Sequence, residues 1–180
     1  MRTHVGILLC FSALLGVGSC LEYGSDNVLE WKSIKAEIRS QFHTVNQLTT
    51  TELAEWLASE NEPLPLLLDA RAPEEYSVSH LPNAILAPSV SEALEGLKGS
   101  ELEKRVVVYC SVGYRSSRLA ETLAEAGYPN VYNLEGSIFQ WANEGRAVYR
   151  GREEVGAVHP YNNNWGKLLR RELWSYDLGH

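Results

Sequence analysis

The sequence predicts an α/β fold, an open parallel sheet of about five strands with helices on both faces. Three observations predict it. Val106-Val107-Val108-Tyr109 is an unbroken β-branched and aromatic run, as a strand buried on both faces requires. Leu119, Ala120, Leu123 and Ala124 then form an apolar stripe at helical spacing, and Gly127 suits the left-handed residue that ends a helix. The same alternation recurs: strand-like runs at 66–69, 84–87 and 131–134 each precede a helix-like segment. A chain of 180 residues with 44% hydrophobic content suits one domain plus extensions.

Residues 1–19 fall outside that pattern. Arg2 supplies positive charge, and 5–18 is an apolar run of 14 residues broken only by Ser12. Such a run is too short to span a bilayer and fits the core of a signal peptide. Val17-Gly18-Ser19-Cys20 resembles a bacterial lipobox, which implies lipid on Cys20 and a periplasmic or cell-envelope address. An ordinary signal peptide cut after Ser19 is the alternative. Export is expected either way, and the membrane is met only through the lipid anchor. Losing Arg2 takes the formal charge from −7 to −8, which argues against nucleic acid as a partner. Two cysteines remain after cleavage. With Cys20 lipidated, Cys110 is unpaired; without lipid, a Cys20–Cys110 bridge competes.

The tether and N-terminal helix occupy 20–42. Val28, Trp31, Ile34, Ile38 and Phe42 recur at three or four residues, so a helix over 27–41 is expected, either packed on the sheet or holding the domain off a membrane. A short first strand follows at 43–46. Thr49-Thr50-Thr51-Glu52 fits a capping box, with Leu48 and Leu53 placed as a hydrophobic staple. Leu66, Leu67 and Leu68 make a buried strand ending at Asp69, and Pro73 opens a short helix. Helices are also expected at 91–97 and 137–144. The region 43–145 is the core domain. In 146–180, Trp165, Leu168, Leu169 and Leu173 suggest a terminal helix capped by Asn164. Either that helix docks on the scaffold, or Tyr161 or Trp165 overhangs the turn that carries Cys110.

That turn carries the chemistry. A strand-turn-helix aims the turn's N–H groups and the positive end of the helix at one spot, so a cysteine there ionises more easily than a free thiol. The bland alternative is a half-buried structural cysteine. The pattern C-x-x-G-x-R-S, from Cys110 through Gly113 and Arg115 to Ser116, resembles the active-site loop of single-domain rhodaneses. Asp69-Ala70-Arg71 and the stretch from Glu75-Tyr76 to His80 and Ala84 resemble two further motifs of that family, in the same order. Two glycines of the family pattern are replaced by Ser79 and Asn83, and Asn tolerates positive φ.

The resemblance implies a rhodanese-like fold and a sulfurtransferase. A Cys110 persulfide would carry sulfur from thiosulfate or a similar small anion to a thiol or cyanide acceptor, a protein thiol among the possibilities. Ser111, Val112, Gly113, Tyr114, Arg115 and Ser116 would cradle the sulfur, with Arg71 attracting the donor and Asp69 and Glu75 in support. Arg71 is equally read as a structural partner of Asp69 or Glu75, and His80 as a ring that ties its loop down. No metal or cofactor is expected, since the histidines are scattered and no Gly-rich phosphate loop follows a strand. Two rivals stand beside this reading: a cysteine-dependent phosphatase or arsenate reductase on the same fold, and a non-catalytic binding module. Counting the turn separates the first. Cys110 to Arg115 spans six residues, whereas the related phosphatases resemble C-x5-R, which would put Arg where Ser116 stands.

Overall fold

The computed structural model describes residues 25–179. The leader, the lipobox and Cys20 lie outside the described residues. Strands β1 (Asn46–Leu48), β2 (Leu66–Asp69), β3 (Ile85–Leu86), β4 (Val106–Tyr109) and β5 (Val131–Leu134) form one sheet in the order β1-β5-β4-β2-β3. Every pairing in it is parallel. β4 lies at its centre, and its four residues are all buried because helices cover both faces. Val106 and Val108 point into one core with Leu119 and Leu123, while Val107 and Tyr109 point into the other with Leu53 and Phe139. Each buried valine stabilises the fold by roughly 1.5–3 kcal/mol.

The helices form where expected, with shifted ends. α1 (Ser25–Gln41) buries Ile38, and Phe42 is buried just beyond its end, so it packs on the sheet. Arg39 fixes it further by donating from Nε and Nη2 to the Glu135 carboxylate, at 2.5 and 3.0 Å. The first strand begins at Asn46 rather than 43, because Val45 N–H bonds to Phe42 O and the chain is still turning out of α1. α2 (Thr50–Ala58) starts with the predicted capping box, Thr49 and Glu52 exchanging side-chain and backbone bonds. Leu48 and Leu53 are both buried in the core beneath it. Such a cap contributes about 1 kcal/mol. α3 (Pro73–Val78), α4 (Val90–Gly96), α5 (Tyr114–Glu125) and α6 (Ser137–Asn143) complete the set.

Asn83 takes up φ 54°, a left-handed conformation that its short polar side chain accommodates. His80 is buried, its backbone pairing with Tyr149 and its Nε2 accepting from Gly151 N–H at 3.2 Å. It ties its loop to a hairpin the sequence reading missed, β6 (Val148–Arg150) and β7 (Glu153–Val155).

The expected terminal α-helix does not form. Trp165–Leu168 and Arg171–Leu173 are separate 3₁₀ turns. Gly166 packs its backbone against Trp174: a Cβ there would come within 2.5 Å of the indole. Asn164 caps nothing; Asn162 does, its Oδ1 accepting from the N–H groups of Asn164 and Trp165 at 3.0 Å each. Val158, Leu168 and Leu169 still bury themselves in the core that holds Phe139.

Candidate functional site

Cys110 follows β4 directly, and the chain then reverses at Gly113 into α5. The reversal needs glycine. Gly113 sits at φ 119°, and a Cβ would meet Asn133 Nδ2 at 3.4 Å and Ile38 Cδ1 at 3.5 Å. The turn is therefore shorter than the six residues expected: α5 begins at Tyr114, which places Arg115 in the helix's first turn. Helix geometry then points Arg115 back over the loop, where Nη1 and Nη2 bond Glu75 at 2.7 and 2.8 Å.

The Cys110 thiol is 1% exposed and, among the described residues, forms no disulfide. Its Sγ accepts from Gly113 N–H at 3.2 Å and lies 3.4 Å from the Ser116 hydroxyl. Burial pushes the thiol pKa up, but the Arg115 charge and the bonds from Ser116 and Gly113 outweigh it, so the group ionises below its ordinary value. Of the six cradle residues expected, Gly113 and Ser116 touch the sulfur through these bonds. Ser111 instead turns its hydroxyl to Glu75, donating at 3.0 Å, and accepts from Arg115 Nη2. Val112 and Tyr114 line the cavity beside the sulfur.

Glu75 is the hub of the loop. It accepts from Ala72 N–H, the Ser111 hydroxyl and both Arg115 nitrogens, and it is 1% exposed. Burial works against its charge, but the Arg115 fork holds its carboxyl below the usual glutamate range. Arg71 stands elsewhere. Its guanidinium is fully buried, forked onto Asp69 and donating to Ser79 O at 2.6 Å. An anion arriving from solvent does not reach it, so the role of donor attraction is withdrawn and the structural pairing is what the fold contains. Asp69 likewise serves Arg71 and does not line the cavity.

Two supporting residues were missed in the sequence. Ser137, held at φ 50°, accepts from Cys110 N–H at 3.0 Å and donates to Leu134 O at 2.9 Å. Asn133 Oδ1 lies 2.6 Å from the Ser116 hydroxyl and competes with the sulfur for its single proton, and Asn133 donates to Gln47 at 2.7 Å, linking the loop across β5 to β1. An asparagine inside the apolar strand run at 131–134 was the available signal, because a buried amide needs partners.

The cavity at Cys110 holds about 130 Å³ and is walled by Ser111, Val112, Tyr114, Arg115, Tyr161 and Trp165. The C-terminal extension thus overhangs the turn while also docking on the scaffold. Larger clefts, about 550 Å³ beside α1 and about 430 Å³ beside Arg118, do not include Cys110 in their lining. Among the described residues, no cluster of His, Cys, Asp or Glu is arranged to hold a metal ion.

The fold and loop define an α/β domain centred on an activated cysteine at the end of its middle strand. A rhodanese-like domain model matches residues 49–144, and the chain belongs to that family. It is 28% identical over 146 residues to a tRNA uridine(34) hydroxylase of Hamiltonella defensa, covering 78% of this chain and 40% of that one. It is 30% identical over 112 residues to a probable adenylyltransferase/sulfurtransferase MoeZ of Mycobacterium tuberculosis, covering 62% and 28%. The chain thus spans less than half the length of these relatives. Its fold resembles a thiosulfate sulfurtransferase from Pseudomonas aeruginosa, with a TM-score of 0.57 at 25% identity over 78% of this chain and 26% of that one.

Proposed function

We propose that the protein is a sulfurtransferase that carries sulfur on Cys110, with thiosulfate or a similar small anion as donor and a thiol or cyanide as acceptor. The observation that carries this reading is the state of the sulfur itself. Cys110 is buried, acidified, bonded by Gly113 and Ser116, and open to one small cavity. In the first half-reaction the thiolate attacks the sulfane sulfur of thiosulfate. The donor's S–S bond breaks and its electron pair leaves with sulfite. In the second, a thiolate or cyanide attacks the outer sulfur of the persulfide, and the electron pair returns to Cys110 Sγ. Both steps carry negative charge on sulfur, which the fixed N–H and hydroxyl donors stabilise without reorganising.

The geometry favours sulfur over phosphorus. Both terminal nitrogens of Arg115 are occupied by Glu75, so no bidentate clamp is free for a transferred phosphoryl group. Cys110→Ser should lower thiosulfate:cyanide sulfur transfer by at least about a thousandfold, as loss of a covalent nucleophile does. The fold should survive, because hydroxyl and thiol are similar in shape. Substantial turnover in that variant sinks the mechanism.

A further inference from the structure

Two aromatic side chains beside Cys110 come from outside the family-matched residues. Tyr161 and Trp165 lie in the extension, and both keep large exposed faces, 45% and 37%, while lining the cavity. Tyr161 is held in an unfavourable conformation. Its φ of 63° is left-handed, a region that costs a non-glycine residue about 1 kcal/mol or more. The surroundings keep it there. Tyr161 N–H donates to His159 Nδ1 at 3.0 Å, and Asn162 N–H to Pro160 O at 2.8 Å. Asn162 then caps the Trp165 turn. The phenol ring faces the Arg115 guanidinium at 4.8 Å, the cation whose nitrogens grip Glu75. A strained residue pinned on both sides, with its ring against an active-site arginine, is a positioned wall.

The size of the space it leaves decides what enters. Pockets for ordinary organic ligands hold roughly 300–1,000 Å³. The space at Cys110, about 130 Å³, suits an oxyanion or a short thiol. We propose that Tyr161 and Trp165 restrict Cys110 to small sulfur carriers, so that the acceptor is a low-molecular-weight thiol of cysteine size rather than a thiol borne on a folded protein or an RNA. The inference rests on the sulfurtransferase reading, because it names the acceptor class for that site. The attacking thiolate must reach the outer sulfur in line with the S–S bond, and a bulky carrier meets the two rings before its sulfur arrives.

The wall can be tested without sulfur chemistry. Iodoacetamide and its fluorescein conjugate share one warhead and differ in bulk, so the ratio of their Cys110 alkylation rates reads access alone. Tyr161→Gly is the variant of choice, since glycine takes φ 63° without strain and loses the ring while keeping the backbone. Trp165→Ala provides an independent second opening. Each should cut the small-to-bulky rate ratio by about tenfold, equivalent to removing roughly 1.4 kcal/mol of steric barrier. Ratios equal to the native value in both variants overturn the proposal, whatever the sulfur-transfer assay shows. A tenfold drop supports the wall even if the native chain turns over no thiosulfate, an outcome that would defeat the sulfurtransferase reading alone. Persulfide discharge completes the test. The native chain should release sulfur to free cysteine and not to reduced thioredoxin, and equal discharge to both contradicts the assignment.

Discussion

The Asp69–Arg71 and Glu75–Arg115 pairs use the same chemistry, near the ends of neighbouring strands β2 and β4, with different exposure. In the first, both side chains are 0% exposed, and the guanidinium bonds Asp69 and Ser79 O through Nε and Nη2 while its buried Nη1 has no partner. In the second, the carboxylate is buried while the arginine side chain remains 34% exposed at the cavity. The first pair braces the fold at the carboxyl end of β2. The second braces the loop and also places a positive charge beside a thiol. Position relative to the turn, not residue type, separates an arginine sealed in the core from one that faces the cavity.

Breaking each pair should expose that division. Asp69→Ala leaves Arg71 charged, buried and unpaired, and should lower unfolding free energy by about 3–5 kcal/mol in a urea titration. In the fraction that remains folded, the pH midpoint of Cys110 alkylation should match the native one. A small stability loss would mean that water or another group satisfies Arg71.

Arg115→Gln should act the other way, with a smaller stability loss and a clear change at the sulfur. Arg115 is the largest influence lowering the thiol's pKa, and burial opposes it. Removing the charge therefore raises the pKa, moves the alkylation midpoint to higher pH and reduces the thiolate fraction at pH 7. Sulfur transfer at neutral pH should fall with it and recover partly as pH rises. An unmoved midpoint would return Arg115 to a purely bracing role.

What was legible in the sequence follows the range over which each signal acts. The Val106–Tyr109 strand, the Thr49–Glu52 capping box and the left-handed Asn83 depend on neighbours a few residues away, and all three appear as read. The cysteine loop was legible through its C-x-x-G-x-R-S pattern, while the positive φ of Gly113 appears only in the structure. Arg71 was not. Its sequence lies beside a site motif, and only the three-dimensional register of Asp69 with Tyr109 shows that it is sealed in the core. Ser137 and Asn133 escaped notice because their partners lie 27 and 17 residues away. The extension misled for a different reason. Its apolar spacing mimics a helix, but Gly166 must let Trp174 approach, and that contact breaks the turn into 3₁₀ pieces. The hairpin β6–β7 left a readable trace in Gly151-Arg152, a two-residue connection with glycine in its first position at φ 61°.

The central claim is that Cys110 carries sulfur, and intact mass measures it most directly. After incubation with thiosulfate and removal of excess reagent, the native chain should show a species one sulfur atom heavier. Cyanide should return it to the starting mass, and Cys110→Ser should show no such species under the same treatment. A native chain whose mass stays unchanged, or an added sulfur that persists in Cys110→Ser, would contradict the account.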